Sequence, residues 1–178
     1  MKIETPSAHL SSLSAEELQT EVVALYTEHA RALRVGLRRL TGSSNDLDDL
    51  LHEVFVVALR RPAALLTADS PRAWLYGIAV KVAAASRRRG AIRAFLGLDA
   101  ARLVAAGEDT DARLDAARRV DRALAKLAPK KREVLVLFEL QGLTGDEIAA
   151  ALGIPAPTVF TRLHHARKEL EHLLGSHD

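Results

Sequence analysis

The chain has 178 residues, 48% of them hydrophobic and 4% aromatic, with 25 Lys or Arg against 23 Asp or Glu and no Cys. That length holds one domain or two small ones, and the prevalence of Ala, Leu, Arg and Glu favours helices. The missing cysteines exclude disulfides and thiolate chemistry. Together with the absence of a membrane-length apolar run and of a signal-peptide pattern, they predict a cytoplasmic protein with no membrane span.

Residues 1–14 are Ser-rich, contain Pro6 and are expected to fray. Helical spacing begins at Ala15 and runs to Leu40, with Leu18, Val22, Leu25, Tyr26, Ala32 and Leu37 expected inside. Thr41-Gly42-Ser43-Ser44-Asn45 is a loop ending in cap residues. A second helix follows to about Arg61. Its wheel separates a buried stripe (Leu47, Leu51, Val54, Ala58) from a side with Asp49, His52, Glu53 and Val56. From Asn45 to Phe55 there are four acids, Asp46, Asp48, Asp49 and Glu53, and no Lys or Arg. An exposed valine in an acidic face suits docking to a basic protein. A solvated face whose acids complement the helix dipole explains the same charges.

Pro62–Asp69 reads as an irregular connector. Ser70-Pro71 starts a helix expected to run to about Arg89, with Gly90 as its end. Trp74 falls on its packed stripe, whereas Tyr76, Val80, Ala84 and Arg87 fall on the open side and Lys81 on the flank. Lys81, Arg87, Arg88, Arg89 and Arg93 form a run without acids. Such a run attracts phosphates, although a basic helix end also complements the dipole. Residues 97–111, with Gly97, Gly107, Glu108, Asp109 and Asp111, predict a flexible linker. A second helical unit then runs to Leu127, breaks at Pro129, resumes to Leu140 and turns at Gly142. No β alternation is present. The fold class is all-α: two small helical domains, 15–96 and 112–176, joined by the linker.

The C-terminal unit is punctuated almost residue by residue. Thr144 and Glu147 form a capping box, Gly153 suits a left-handed helix end, and Pro155 blocks continuation. Pro157 fits the first turn of the next helix. This is a helix-turn-helix, whose second helix enters the DNA major groove. On that helix Val159, Leu163, Ala166 and Leu170 make the packing stripe. Thr158, Thr161, His164, His165 and Lys168 face the other way, with Arg162 and Arg167 on the flanks. Hydroxyls, imidazoles and cations can meet base edges and phosphates. An ordinary surface helix of a bundle is the alternative. The adjacent His164 and His165 diverge and lack cysteine partners, so no metal site is expected.

In order, these pieces resemble the extracytoplasmic-function sigma factors of the sigma-70 family. Leu25-Tyr26-x-x-His29, Asp48-Asp49-Leu50-Leu51-His52-Glu53-Val54-Phe55, Trp74-Leu75-Tyr76-Gly77-Ile78-Ala79 and Arg87-Arg88-Arg89 match the promoter-melting domain. Ala123-Leu124, Leu127, Pro129, Arg132-Glu133-Val134-Leu135, Glu147-Ile148-Ala149, Leu152-Gly153-Ile154-Pro155 and Thr158-Val159-x-Thr161-Arg162-Leu163-x-x-Ala166-Arg167 match the second domain. The resemblance implies a protein that binds core RNA polymerase, through the β′ clamp helices and the β flap, and directs it to promoter DNA. Asp49, His52, Glu53, Phe55 and Val56 would bind polymerase. Tyr76, Val80, Lys81, Ala84, Arg87, Arg88 and Arg89 would read the −10 element, with the Pro62–Asp69 connector near an unstacked base. Thr158, Phe160, Thr161, Arg162, His164, His165, Arg167 and Lys168 would meet the −35 element. Many members are held by an anti-sigma factor, a further partner implied here.

The chain departs from the family pattern at several positions. His52 replaces a common Gln, Lys81 an Asn, Ala85 an Asp, and Phe160 a basic residue. A helix-turn-helix repressor or activator that binds duplex DNA alone is the competing reading. An enzyme finds no support, because there is no phosphate loop, metal pair or nucleophile motif. No cofactor is expected.

Overall fold

The computed structural model describes residues 14–43, 45–97 and 112–175. The predicted linker, apart from Gly97, lies outside the described residues. Helix α1 (Ala15–Thr41) opens on a capping box: Ser14 N–H donates to Glu17 Oε2 (2.7 Å) and Glu17 N–H to Ser14 Oγ (3.2 Å). It closes at Gly42, whose φ of 73° suits glycine. Helices α2 (Leu47–Leu59), α3 (Pro62–Leu66) and α4 (Pro71–Phe95) complete the first domain. The second holds α5 (Ala112–Lys126), α6 (Pro129–Leu135) with a π-helical turn over Val136–Leu140, α7 (Gly145–Leu152) and α8 (Ala156–Gly175). There is no strand among the described residues, as the sequence predicts.

In the first domain α1, α2 and α4 enclose Leu33, Leu37, Leu40, Leu47, Leu51, Val54, Leu75 and Ala79. The buried stripe of α1 differs from the expected one. Val22 and Leu37 are buried, but Tyr26 and Ala32 are exposed, and Leu33 and Leu40 take the inner line at i, i+4 and i+7 spacing around Leu37. Pro62 to Leu66 is a short helix rather than an irregular connector. Helix α4 passes through Gly90 to Phe95. One glycine inside a helix costs about 1 kcal/mol and need not end it.

Over Ala73–Ala83 helix α4 is buried almost all round apart from Lys81: Ala73, Leu75 to Val80, Val82 and Ala83 are buried. A helix with no bare face has neighbours on more than one side. One side of α4 meets α1 and α2; the other meets the second domain, chiefly α7. A Cβ on Gly77 would stand 2.6 Å from the Ala151 carbonyl oxygen, so only glycine permits this approach. Tyr76 Oη donates to Gln141 Oε1 (2.5 Å), and Arg72 donates to the Gln141 carbonyl. Arg87 donates to the Leu40 carbonyl (2.5 Å) and to Glu133 (3.0 Å), and Arg38 pairs with Asp121 (2.8 Å). The two domains therefore share one packed interface. The acid- and glycine-rich linker predicted flexibility between the domains, whereas among the described residues α1 and α4 pack against the second domain.

Candidate nucleic-acid interface

The helix-turn-helix forms as its sequence dictates. Thr144 N–H donates to Glu147 Oε2 (2.8 Å) and Glu147 N–H to Thr144 Oγ1 (3.2 Å). The Thr144 N–H bond to that carboxyl, with help from the Ser70 and Thr144 hydroxyls and Arg72, holds Glu147 below its usual range. Gly153 turns left-handed at φ 64°, and Ile154 N–H returns to the Ala149 carbonyl (3.1 Å). The Pro155 carbonyl then accepts from Thr158 and Val159 to start α8. Val159, Leu163 and Ala166 anchor α8 to the core. Phe160, Thr161, His164, His165, Arg167 and Lys168 are exposed, while Thr158 and Arg162 are half-buried.

Two of these side chains are already positioned. Arg167 reaches Glu139 (2.6 Å) and lies over the Phe138 ring, 5.5 Å from its centroid. Phe160 meets the same ring edge-on at 6.5 Å. Thr161, exposed, donates its Oγ1–H back to the Pro157 carbonyl (2.9 Å).

Acidic helix α2 buries Leu47, Leu51, Val54 and Ala58 and exposes Asp49 and His52. Arg34 donates to Asp48 (2.7 Å), and Arg89 reaches Glu53 (3.4 Å). Between α2, α4 and α7 opens a cleft of about 610 Å³ whose walls include Glu53, Val57, Arg60, Trp74, Lys81 and Ala151. It combines an indole with cations, the elements of a single-strand platform. No group of His, Cys, Asp and Glu among the described residues could hold a metal.

Comparison with known proteins agrees on both halves. Residues 25–92 match the model of sigma-70 region 2, and residues 117–170 match that of sigma-70 region 4. The ECF RNA polymerase sigma factor SigL of Mycobacterium tuberculosis is 32% identical over 151 residues, covering 83% of this chain and 85% of SigL. The chain belongs to the extracytoplasmic-function sigma factors. Its structure resembles CnrH in complex with the cytosolic domain of CnrY at a TM-score of 0.67, with 28% identity over 97% of each chain. At the level of fold it also resembles Bartonella quintana RpoE bound to the anti-sigma factor NepR: TM-score 0.71, 22% identity, 89% of this chain and 99% of that one.

In this sigma factor the −35 residues read from the sequence come together on one helix, most of them exposed. The −10 set also lies on one helix, α4, but only part of it is exposed. Tyr76 is 1% exposed and Val80 7%, because the second domain covers the side of α4 that a one-neighbour wheel leaves open. Ala84 and Arg87 are half-buried, and Arg87 is engaged by Glu133 and Leu40. Lys81, Arg88 and Arg89 are exposed. Trp74, assigned to the packed stripe, does pack against the core but is half-buried and also lines the cleft wall. In the polymerase set, Phe55 is 5% exposed and packs edge-on against Tyr26 at 4.7 Å, so it supports α2 from inside and is not on its surface. Val56 and Glu53 are half-buried.

Sequence reasoning missed the residues that join the domains: Arg72, Gly77, Glu133 and Gln141. Burial pushes the Tyr76 phenol up to about 12, and burial lowers Arg132, which donates to the Ala125 and Leu127 carbonyls. The continuous apolar run Ile78-Ala79-Val80 was the available signal that α4 has two partners. No helix among the described residues is long and apolar enough to cross a membrane.

Proposed function

We propose that this sigma factor binds core RNA polymerase through the exposed acids of α2, opens the −10 element with α4 and the adjoining cleft, and places α8 on the −35 element. It acts by binding and remodelling, with no chemistry of its own, in the cytoplasm. The observation that carries this reading is the bare outer face of α8, together with an acidic helix exposing Asp49 and His52, in a chain that matches both sigma regions. Asp49, His52, Glu53 and Val56 are assigned to a basic surface of polymerase, the β′ clamp helices, and the second domain to the β flap. Thr161, His164, His165 and Lys168 are assigned to base edges, and Thr158, Arg162 and Arg167 to phosphates. Lys81, Arg88 and Arg89 attract the −10 strand, and Trp74 gives an unpaired base a stacking surface. Tyr76, Val80, Ala84 and Arg87 can join them only once the domains part. An anti-sigma protein is the expected regulator.

Run-off transcription with purified core polymerase on genomic promoter fragments tests the whole reading. Initiation from discrete promoters is expected; duplex binding without initiation would favour the repressor. Glu53→Lys tests the docking face. Its circular dichroism should match the wild type, while capture of core polymerase drops. Undiminished capture removes α2 from the polymerase contact.

A further inference from the structure

We infer that Phe160 reads the 5-methyl group of a thymine in the −35 duplex. This rests on the reading of α8 as the major-groove helix and adds a base and an atom to it. The phenyl ring is 51% exposed in a row of polar side chains, Thr161, His164 and Lys168. It is nonetheless fixed. Its edge meets the Phe138 ring, 6.5 Å between centroids and 73° between planes. Behind it lies Gly145, where a Cβ would fall 2.5 Å from Phe160 Cζ. Phe138 is itself covered by the Arg167 guanidinium, and Arg167 is held by Glu139. Half of the ring is thus seated against protein and half is presented outward at little further loss of rotamer freedom on binding.

An aromatic hydrocarbon can neither donate to nor accept from a base edge through conventional hydrogen bonds. Its use in the major groove is apolar contact, and the thymine methyl is the apolar group that the groove offers. Cytosine, with hydrogen at that carbon, leaves the ring against a gap. A cation at this position would instead favour guanine or phosphate. Phe160 is therefore suited to separate T from C at one step of the element.

The test uses the full chain bound to core polymerase. The −35 sequence is first enriched from randomised duplexes. Each thymine in it is then replaced singly by deoxyuridine, which removes the methyl and preserves the pairing edge. One thymine, or two neighbours, should lose about fourfold in affinity, the effect of burying one methyl. Placing 5-methylcytosine for cytosine at that position should recover a similar factor. In Phe160→Ala the deoxyuridine penalty should vanish at that position. In Gly145→Ala, which displaces the ring without deleting it, the penalty should shrink. The wild-type scan needs no variant, so a misfolded mutant cannot hide the answer. Indifference of the wild type at every thymine, an enriched site without thymine, or an unchanged penalty in Phe160→Ala overturns the assignment. An unchanged penalty in Gly145→Ala refutes the seating on which it is built. Failure of the parent reading looks different: Thr161→Ala and Lys168→Ala would then also leave the enriched sequence unchanged.

Discussion

Helices α4 and α8 carry the two nucleic-acid surfaces assigned to this sigma factor, and they stand in opposite states. Helix α8 shows its polar face to solvent along its length, while the corresponding side of α4 lies under α7 and Gln141. The same wheel reading therefore worked on one helix and misplaced residues on the other. It works where a helix has one apolar stripe and one neighbour, and it misplaces residues where a helix is apolar on two sides. The difference also orders events. The surface assigned to the −35 element is accessible in this arrangement, whereas Tyr76 and Val80 become accessible only when the domains separate.

The largest effect should come from Glu133. Its carboxylate pairs with Arg87 in a site where both side chains are mostly buried, with Arg132 close by. Glu133→Ala leaves two guanidiniums facing each other without an anion, and breaking such a pair costs about 3 kcal/mol. Urea denaturation of the intact chain measures the loss. The same variant should bind a single-stranded −10 oligonucleotide more tightly than the wild type. Unchanged stability and unchanged affinity together would mean that the second domain does not hold the α4 face.

Next is Tyr76. Its phenol is raised by burial to about 12, against about 10 in an unfolded chain. The neutral form is the one the fold favours, so this contribution is whole below pH 10 and is lost as pH climbs from about 10 towards 12. The total is roughly 2–3 kcal/mol. Tyr76→Phe should flatten that alkaline decline and lose about 1 kcal/mol at neutral pH, where Gln141 Oε1 is left without its donor. An identical alkaline slope in the variant would show that the phenol is not in the interface.

Gly77→Ala sharpens the contrast by geometry alone. The added carbon meets a backbone oxygen that cannot rotate away, and overpacking of this kind costs about 2 kcal/mol. Within α4 itself alanine is the better residue by about 1 kcal/mol. Small-angle scattering should therefore show a larger radius of gyration while helix content holds or rises. An unchanged radius would contradict the close approach of α4 and α7.

The smallest effect on folding belongs to the bare face. Arg167→Ala removes an exposed ion pair with Glu139 and should change stability by less than about 1 kcal/mol. Its signature lies in binding: duplex affinity should fall across sequences, and the salt slope should shrink by about one. A slope identical to the wild type would leave Arg167 as a brace for Phe138 and no more.

Most of the fold was legible because its boundaries are written in local chemistry. Thr144, Glu147, Gly153 and Pro155 each act within one turn, and each is found doing what its type requires. Asp49, His52 and the polar residues of α8 were legible for a related reason, since each helix there turns a single stripe inward. Tyr76 and Val80 were misplaced because their surroundings include residues far along the chain, such as Gln141 beside Tyr76, 65 positions away, which no local pattern reports. The basic run was informative as charge but not as partner. Arg87 was read as a phosphate contact and is found paired with Glu133.

The π-helical turn over Val136–Leu140 has a consequence best put in terms of chain length. Gln141 N–H bonds back five residues to the Val136 carbonyl (3.0 Å), so this stretch carries one residue more than an α-helical turn needs. Deleting a single residue here would restore ordinary helical bonding and harm the helix little. The wider turn is what absorbs the extra residue, so after a deletion between Val136 and Gln141 the Gln141 N–H would still bond to the Val136 carbonyl, now four residues back, and the helix-turn-helix would keep close to its present direction. A deletion in the α-helical α6 would instead turn everything downstream by about 100°, so the register between the two domains tolerates a lost residue within these five positions better than just before them.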